Sequence, residues 1–570
     1  MPLQPAIAGR RHMVSAGHHL AALAGYEVLE AGGNAIDAGV AGGIALGVLH
    51  SDQVQFSGVA PILIHLAESG EDVVIAGLGH WPRATRPEYF FDDCQGRIPL
   101  GVRRTVVPAA PDAWLQALRR WGTMSFAEVA SAAIRHAREG FAMHWYMALF
   151  LERYAANYAK WPSNAAIYLK EGRPPAEGEL FVQSDLAASL QFMADEEKAA
   201  AARGREAGLQ AARDAFYKGD LARAMVRHQA ENDGWLAAED LAGFASAIEP
   251  PVKVRFGKLE VLSCGPWCQG PTLLQMLKLL EGTDLKAMGH NSATYIHTVA
   301  EAMKLAFADR ERYFGDPRFV EVPLAGLLSD AYAARRRAEI APARAAPGMP
   351  PAGRPEGAPW RAEAMYEASP PSPALSADTS YVCAVDAQGN VFSATPSDVS
   401  FETPVVPGLG FCPSARGSQS FAIPGHPSAP APGKRPRLTP NPSIARLPGK
   451  FVMPLGTPGG DVQTQAMAQV LLNVALWGME VQDAIEAPRF ATHSFPGTFE
   501  PHDYHPGRLD VEGRIDAATA EALAALGHKV DRLEPVSYKV GGVCAIRADL
   551  ETGTLWGGAD PRRPARAVGR

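Results

Sequence analysis

The stretch Ala377-Asp378-Thr379-Ser380-Tyr381-Val382-Cys383-Ala384-Val385-Asp386 lies where a proline-rich segment ends and a strand-like run begins. Residues 341–378 are dominated by Pro, Ala and Gly, which predicts an exposed, mobile linker rather than a packed element. Tyr381 to Val385 and Val391 to Thr395 flank a glycine-containing loop, so we expect a β-hairpin there. Thr379 would then begin the first strand of a sheet.

A threonine at this junction has two interpretations. Threonine is common at strand edges, so Thr379 can be an ordinary strand residue. If the chain is cut after Asp378, however, Thr379 carries a free α-amine beside its hydroxyl. Such an amine has a reference pKa of about 7.7 to 8.0 and can serve as the base for the hydroxyl near neutral pH. The rest of the sequence must decide between a strand residue and an N-terminal nucleophile.

The composition limits the classes of protein that fit. The chain has 570 residues, of which 47% are hydrophobic and 20% charged, as in packed proteins with several globular units. Its net charge of −7 and lack of a long basic block argue against a nucleic-acid partner. The sequence predicts no export signal and no membrane span. Six scattered cysteines fit a reducing cytoplasm, and we expect no metal and no cofactor.

Local patterns predict several elements. Ser125 to Glu128 forms a capping box for a helix that ends at Gly140. Tyr295 to Arg312 has apolar residues at helical spacing, which indicates a helix packed by one face. A strand at Phe451 to Leu455 leads through Gly456-Thr457-Pro458-Gly459-Gly460 into a helix. Glycine N–H groups at a helix start can bind an oxyanion, although such glycines also serve purely steric needs.

Motifs spread over most of the chain carry further information. In chain order they are Glu30-Ala31-Gly32-Gly33-Asn34-Ala35-Ile36-Asp37-Ala38, Trp121-Gly122-Thr123-Met124, Ala137-Arg138-Glu139-Gly140-Phe141, Ala300-Glu301-Ala302-Met303-Lys304-Leu305-Ala306-Phe307-Ala308-Asp309-Arg310, Gly315-Asp316-Pro317, Gly433-Lys434-Arg435-Pro436, Gly456-Thr457-Pro458-Gly459-Gly460, Glu486-Ala487-Pro488-Arg489-Phe490 and Gly558-Ala559-Asp560-Pro561-Arg562. Together these segments resemble the γ-glutamyltransferase family of N-terminal-nucleophile hydrolases. The stretch from Ala300 to Arg310 is the most specific of them.

The resemblance implies an α+β fold, a four-layer αββα sandwich, made as a precursor that cuts itself before a catalytic threonine. Thr379 aligns with that threonine, so cleavage after Asp378 would give a large subunit, residues 1–378, and a small subunit, residues 379–570. The two would remain one intertwined fold, and such units can pair further into a dimer. The Thr379 hydroxyl would first attack the Asp378 carbonyl and later a substrate amide, and the acyl group would pass to water or an amine.

The resemblance also implies roles for three further residues. Ser397 falls where the family has a second hydroxyl that hydrogen-bonds the nucleophile. By analogy, the N–H groups of Gly459 and Gly460 would hold the tetrahedral oxyanion.

The residues that would recognise a γ-glutamyl group depart from the family pattern. His80 aligns with the arginine that binds the substrate α-carboxylate, and Arg83 or Arg86 could replace it. An imidazole and a guanidinium are not interchangeable for this purpose. Leu438 and Thr439 stand where the family has a serine pair, so one hydroxyl is lost.

The site for the substrate amine differs as well. Ala415 to Phe421 aligns with the segment that carries the family's amine-binding aspartate, but it contains no carboxylate. Val399 replaces an asparagine. Asp398, Arg416 or Glu402 could instead belong to a different acyl pocket, which predicts an altered choice of substrate.

Three hypotheses follow from these patterns. The first is an amide-cleaving enzyme that uses Thr379 on γ-glutamyl substrates, as a hydrolase or transferase of glutathione metabolism. The second is an acylase or amidohydrolase for another small amide. The third is a non-catalytic binding relative that keeps only the fold.

Overall fold

The structure is a computed structural model that describes residues 3–359, 364–370 and 379–570. Asp378, the residue before the predicted cleavage bond, lies outside the described residues. No helix within the described ranges is long and apolar enough to cross a membrane.

The strands of the described residues are β1 (Ile7–Gly9), β2 (Met13–Ala16), β3 (Ile62–Leu66), β4 (Glu71–Ile75), β5 (Phe141–Ala142), β6 (Leu180–Phe181), β7 (Ile248–Glu249), β8 (Val252–Phe256), β9 (Leu259–Ser263), β10 (Val382–Val385), β11 (Val391–Ala394), β12 (Ser443–Leu447), β13 (Phe451–Gly456), β14 (Phe490–Thr492), β15 (Arg508–Val511), β16 (Lys529–Arg532), β17 (Cys544–Asp549), β18 (Leu555–Ala559) and β19 (Arg566–Gly569).

The α-helices of the same ranges are α1 (His19–Glu30), α2 (Ala35–Leu49), α3 (Ala110–Trp121), α4 (Phe126–Glu139), α5 (Trp145–Arg153), α6 (Ala155–Tyr158), α7 (Pro162–Tyr168), α8 (Ser184–Ala200), α9 (Arg205–Tyr217), α10 (Asp220–Glu231), α11 (Ala238–Ala242), α12 (Gly270–Leu280), α13 (Leu285–Met288), α14 (Ala293–Tyr313), α15 (Leu324–Leu327), α16 (Asp330–Arg337), α17 (Val462–Trp477), α18 (Val481–Glu486) and α19 (Ala517–Ala525).

Two seven-stranded antiparallel sheets form the centre of the fold. Their strand orders are β1-β18-β17-β13-β12-β9-β8 and β19-β2-β10-β11-β3-β4-β7. The predicted hairpin is confirmed as β10 and β11, which pair in antiparallel register with Val382 opposite Ala394. Each sheet therefore contains strands from both sides of the predicted cleavage bond, as one intertwined fold requires.

Side chains of β10 alternate between two apolar layers. Val382 and Ala384 pack with the helices α1, α2 and α4, whereas Cys383 and Val385 pack between the two sheets. Side chains on a strand point alternately to opposite faces, so a strand covered on both faces is apolar throughout. A third apolar cluster joins the other sheet to α12, α14 and α17. The order of layers is helix, sheet, sheet, helix, which confirms the four-layer αββα sandwich.

The helix predicted over Tyr295 to Arg312 is confirmed as α14, and the Ser125 capping box is confirmed at the start of α4. The expectation that α14 packs by only one face is wrong. Its side chains from Tyr295 to Glu311 are all buried, because α12, α19 and β14 surround it. Several of its polar side chains are paired: the Asp309 carboxylate, for example, accepts hydrogen bonds from the Tyr332 hydroxyl at 2.8 Å and the Gly353 N–H at 2.7 Å.

The described part of the proline-rich segment has no helix or strand, and most of its residues are exposed or half-buried. Specific hydrogen bonds nevertheless hold it to the fold. The N–H of Ala345 donates to the Leu526 carbonyl at 2.7 Å, and the N–H of Ser369 donates to the Tyr504 carbonyl at 2.8 Å. The division into residues 1–378 and 379–570 stays a prediction.

Candidate active site

Thr379 and Ser397 face each other just beyond the paired ends of β10 and β11. They form an antiparallel bridge that continues the register of the hairpin, and their side-chain oxygens are 2.8 Å apart. Both residues are buried, with exposed fractions of 1% and 0%. The turn between the strands therefore fixes the distance between the predicted nucleophile and its predicted hydroxyl partner.

Arg416 extends this pair into a line of three groups. Its Nη2 donates to the Ser397 hydroxyl oxygen at 2.6 Å, and its guanidinium lies 5.3 Å from the centre of the Phe499 ring. A serine oxygen that accepts from a guanidinium keeps its own proton available for a second partner. Ser397 can therefore donate to the Thr379 oxygen, where it would stabilise negative charge.

Asp398 lies beside this line in a strained backbone conformation, with a φ of 146°. Burial raises the pKa of its carboxyl to about 6, while the charge of Arg416 opposes the rise. One carboxyl oxygen accepts from the Ser414 hydroxyl at 2.6 Å and lies 3.8 Å from the Arg416 Nε. The other accepts from the Ala415 N–H at 3.2 Å. Both oxygens are thus already hydrogen-bonded to protein groups.

Gly459 and Gly460 form the turn between β13 and α17. Their φ values of 119° and 55° are conformations that side chains other than glycine disfavour. The Gly460 carbonyl accepts from the Gln269 amide at 2.8 Å. The predicted strand, glycine turn and helix are therefore confirmed as elements, and the oxyanion role of the two N–H groups stays a prediction.

A buried ion pair fixes the start of α17 directly after this turn. The Arg310 guanidinium pairs with the Asp461 carboxylate, which also accepts from the Thr498 N–H at 2.7 Å and its hydroxyl at 2.6 Å. The same guanidinium donates to the Gln269 side chain at 3.2 Å. The sequence did not predict this ion pair, although Arg310 is the last residue of the most specific family-like stretch.

Leu438 and Thr439 are buried behind the turn that carries Arg416. The Thr439 hydroxyl accepts from the Gln419 amide at 3.0 Å, and the Leu438 N–H donates to the Trp267 carbonyl at 2.9 Å. Leu438 offers only backbone groups for polar contacts. A contact of Leu438 or Thr439 with substrate stays a prediction.

His80, Arg83 and Arg86 have other surroundings. The His80 Nδ1 lies 2.9 Å from the Trp81 carbonyl oxygen, its ring packs 5.8 Å from Phe244, and burial lowers its pKa. Arg83 and Arg86 are exposed. Within the described chain, none of the contacts of these three residues is with Thr379, Ser397 or Arg416. The role of His80, Arg83 and Arg86 in binding substrate stays a prediction.

A cavity of about 640 Å³ is lined by chain neighbours of the candidate catalytic residues, although Thr379 and Ser397 themselves are not part of its wall. Val399, two residues beyond Ser397, lines it together with Asp461, which follows Gly460. Phe499, which packs on Arg416, forms another part of the wall. The cavity is therefore the best candidate for the space that a substrate occupies.

One group of side chains has the composition of a metal site. The side chains of His297, Glu301 and His528 lie close together in the fold. However, the two imidazoles are 2.9 Å apart as hydrogen-bond partners, and the Lys304 ammonium donates to Glu301 at 2.7 Å. Because the Lys304 ammonium already neutralises the Glu301 carboxylate, this cluster is poorly suited to hold a cation.

A four-layer αββα sandwich with a hydroxyl residue at the start of a central strand defines the class of N-terminal-nucleophile hydrolases. Comparisons with known proteins agree. The profile of the family described as gamma-glutamyltranspeptidase matches residues 21–570. Over 564 residues, 97% of this chain and 92% of the relative, the chain is 35% identical to the Acylase ACY 1 proenzyme of Pseudomonas sp. (strain SE83).

Two further relatives span the full chain. The Glutathione hydrolase-like YwrD proenzyme of Bacillus subtilis (strain 168) is 31% identical over 572 residues, with 100% of both chains covered. The crystal structure of cephalosporin acylase from Bacillus halodurans superposes with a TM-score of 0.85 at 26% identity, covering 100% of this chain and 97% of that chain. The chain belongs to the gamma-glutamyltranspeptidase family. It is a self-processing, amide-cleaving enzyme that forms an acyl-enzyme on an N-terminal threonine and passes the acyl group to water or an amine.

Proposed function

We propose that Thr379 is the nucleophile and that the enzyme is an acylase for a small amide whose acyl group is not γ-glutamyl. The observation that carries this proposal is the position of Arg416, hydrogen-bonded to Ser397 at 2.6 Å. In the family this segment supplies a carboxylate for the substrate ammonium. Arginine is always protonated, so it repels an ammonium group at the same place.

Asp398 is a weak substitute for that carboxylate. Its oxygens accept hydrogen bonds from the Ser414 hydroxyl and the Ala415 N–H, and Arg416 is close to it. An incoming ammonium would have to compete with these donors. The Acylase ACY 1 proenzyme, 35% identical over 97% of this chain, supports the same proposal.

The chemistry follows from the contacts of Thr379. Cleavage of the bond before it frees the α-amine, which takes the proton of the Thr379 hydroxyl as the oxygen attacks the substrate carbonyl. Ser397, polarised by Arg416, donates to the attacking oxygen, and the N–H groups of Gly459 and Gly460 hold the oxyanion. The protonated amine then gives its proton to the leaving nitrogen. Water resolves the resulting threonine ester to a carboxylic acid and restores the hydroxyl.

Precursor cleavage uses the same oxygen. The Thr379 hydroxyl attacks the Asp378 carbonyl, the amide nitrogen leaves as the new α-amine, and water hydrolyses the ester. Denaturing electrophoresis of the purified protein should show two fragments, and sequencing of the smaller one should begin at Thr379. A chain that stays intact under all conditions would contradict this assignment.

The substrate is tested with a matched panel of anilides. We expect turnover of simple acyl anilides and weak turnover of the γ-glutamyl anilide by the processed enzyme, with a Thr379→Ala chain as the blank. Turnover of the γ-glutamyl anilide alone would reject the acylase proposal. It would favour the second candidate, a glutathione hydrolase, which the similarity to the YwrD proenzyme supports.

We also propose that the enzyme works in the cytoplasm, as either a single processed unit or a dimer of such units. All six cysteines are free thiols and five of them are buried, which suits a reducing compartment. Cell fractionation tests the location, and sedimentation analysis of the processed protein tests the assembly.

A further inference from the structure

Gln269 joins two segments from the other side of the predicted cleavage bond. Its side-chain nitrogen donates to the Gly460 carbonyl at 2.8 Å and to the Thr439 carbonyl at 2.9 Å. Its side-chain oxygen accepts from the Arg310 guanidinium at 3.2 Å. Both N–H donors and the acceptor oxygen of this amide are therefore in use, in a residue that is 0% exposed.

The backbone around Gln269 is also held in place. The Gln269 N–H donates to the Leu438 carbonyl at 3.0 Å. The next residue, Gly270, has no room for a side chain, because a Cβ there would lie 2.5 Å from the Ser263 hydroxyl oxygen and 2.9 Å from the Cys264 carbonyl oxygen. The start of α12 therefore presents the Gln269 amide from a fixed position.

The requirements of α12 do not explain a glutamine at this position. Gln269 is the N-cap residue of that helix, where Ser, Thr, Asp and Asn are favoured because their side chains accept from the first N–H groups. Within the described chain, the Gln269 side chain makes no such capping bond. Its contacts with the Gly460 and Thr439 carbonyls account for its direction instead.

The glycine turn needs a support from outside because glycine is conformationally free. Gly459 and Gly460 both have a positive φ, and glycine populates positive and negative φ about equally. The Gly460 carbonyl also accepts from the Gln463 N–H at 3.2 Å, a bond within the start of α17. The Gln269 bond is the shorter of these two and ties the turn to a different helix.

The Thr439 carbonyl has a further donor besides Gln269. With its amide nitrogen facing the neighbouring carbonyls, Gln463 donates to the Thr439 carbonyl at 3.2 Å. Loss of the Gln269 amide would leave Thr439 tied to Gln463, whereas Gly460 would keep only a bond to its own helix among the described donors. The loss should therefore affect the glycine turn more than the Thr439 segment.

We propose that Gln269 is a positioning residue of the reaction, which holds the Gly460 carbonyl and so directs the Gly459 and Gly460 N–H groups towards the oxyanion. The inference deepens the proposed function and rests on it for the role of these two N–H groups. Donors that are held in advance stabilise the transition state more than the neutral substrate. Gln269 should therefore contribute to kcat and little to KM.

The variant Gln269→Met tests this role, since methionine is close to glutamine in length but has no N–H to donate. On whichever anilide the processed enzyme accepts, we expect kcat to fall by about tenfold or more and KM to stay within about twofold. Removal of a whole oxyanion donor costs about a hundredfold to a thousandfold in kcat, and a misdirected donor should lose part of that.

A transition-state analogue separates the oxyanion from the rest of the fold. An alkylboronic acid with the acyl chain of that anilide forms a tetrahedral adduct with the Thr379 hydroxyl, whereas the matching primary alcohol occupies the acyl pocket without an oxyanion. In Gln269→Met, the inhibition constant of the boronic acid should rise in parallel with the fall in kcat. That of the alcohol should stay within about twofold, and equal effects on the two inhibitors would overturn the proposal.

Gln275→Met is the matched control. Gln275 lies on the same helix, is also 0% exposed, and donates to the Asp309 carboxylate at 2.6 Å. It should lose a buried hydrogen bond and thermal stability, while its kcat stays within about twofold. An unchanged kcat in Gln269→Met, or an equal loss in Gln275→Met, would overturn the role of Gln269.

Gln269→Asn covers the case in which Gln269→Met does not fold. It keeps the amide on a side chain one methylene shorter, which cannot reach both carbonyls at once, and should show a smaller loss of kcat at unchanged KM. If neither variant folds, Gln269 serves stability alone and the proposal is overturned. Each result is a ratio to the parent on the same anilide, so a failure of the acylase proposal in the substrate panel is distinguishable from a failure of this one.

Discussion

The variant Ser397→Ala tests the proposed activation of Thr379 most directly. It removes the hydroxyl that lies 2.8 Å from the Thr379 oxygen and that accepts from the buried Arg416 Nη2 at 2.6 Å. A neutral buried hydrogen bond contributes about 1 kcal/mol, and one to a charged group about 1.5 to 3 kcal/mol. Only part of this sum is lost in the transition state. We therefore expect the activation free energy to rise by about 3 kcal/mol, which lowers the rate by about a hundredfold.

The assay measures two rates that use the same oxygen. Precursor cleavage is followed on denaturing gels after synthesis, and kcat is followed with the best anilide of the panel. Both should fall by about a hundredfold in Ser397→Ala, since each begins with attack by Thr379. Ser397→Thr keeps the hydroxyl and should recover most of the loss.

Ser393→Ala is the matched control. Ser393 lies on β11 in the same hairpin, is buried, and its hydroxyl is 2.7 Å from that of Tyr381. It should lose a comparable hydrogen bond and some stability with little effect on either rate. The reasoning is refuted if Ser397→Ala stays within threefold of the parent, or if Ser393→Ala slows both reactions equally.

Three further outcomes are expected. Thr379→Ala should remain an intact 570-residue chain on gels, and any cleavage before residue 379 would remove Thr379 as the nucleophile. Gly460→Ala should strain the turn by about 1 to 2 kcal/mol, since its φ is 55°, and should slow processing more than Gly449→Ala, a glycine with a φ of 72° in an exposed turn. Burial lowers the pKa of His144 to about 4, so the folded state binds fewer protons than the unfolded state below about pH 6.5. Stability should fall as the pH drops from about 6.5 towards 4, and His144→Gln should reduce that slope in thermal unfolding; an unchanged slope would contradict this assignment.

The elements around Thr379 were predictable because the forces that form them are local. Alternation of apolar residues and a glycine-containing loop predict the hairpin, and its register alone places Thr379 opposite Ser397. The role of Ser397 still needed the resemblance, because a serine at this spacing has no chemical signature of its own.

Contacts between layers could not be predicted in this way. Arg310 and Asp461 are 151 residues apart and meet only because α14 and the start of α17 pack in the same helical layer. The one-face expectation for α14 failed for a related reason. Apolar spacing does not reveal that Glu301 and Asp309 are buried with partners of their own, Lys304 and Tyr332.

Substrate recognition and activation of the nucleophile share a segment of chain. Thr498 donates to Asp461 at the start of α17, directly after the glycine turn, and the next residue, Phe499, packs on the guanidinium that reaches Ser397. Both Thr498 and Phe499 also line the cavity. A substitution that reshapes this wall therefore moves supports of the oxyanion turn and of the Ser397 hydroxyl as well.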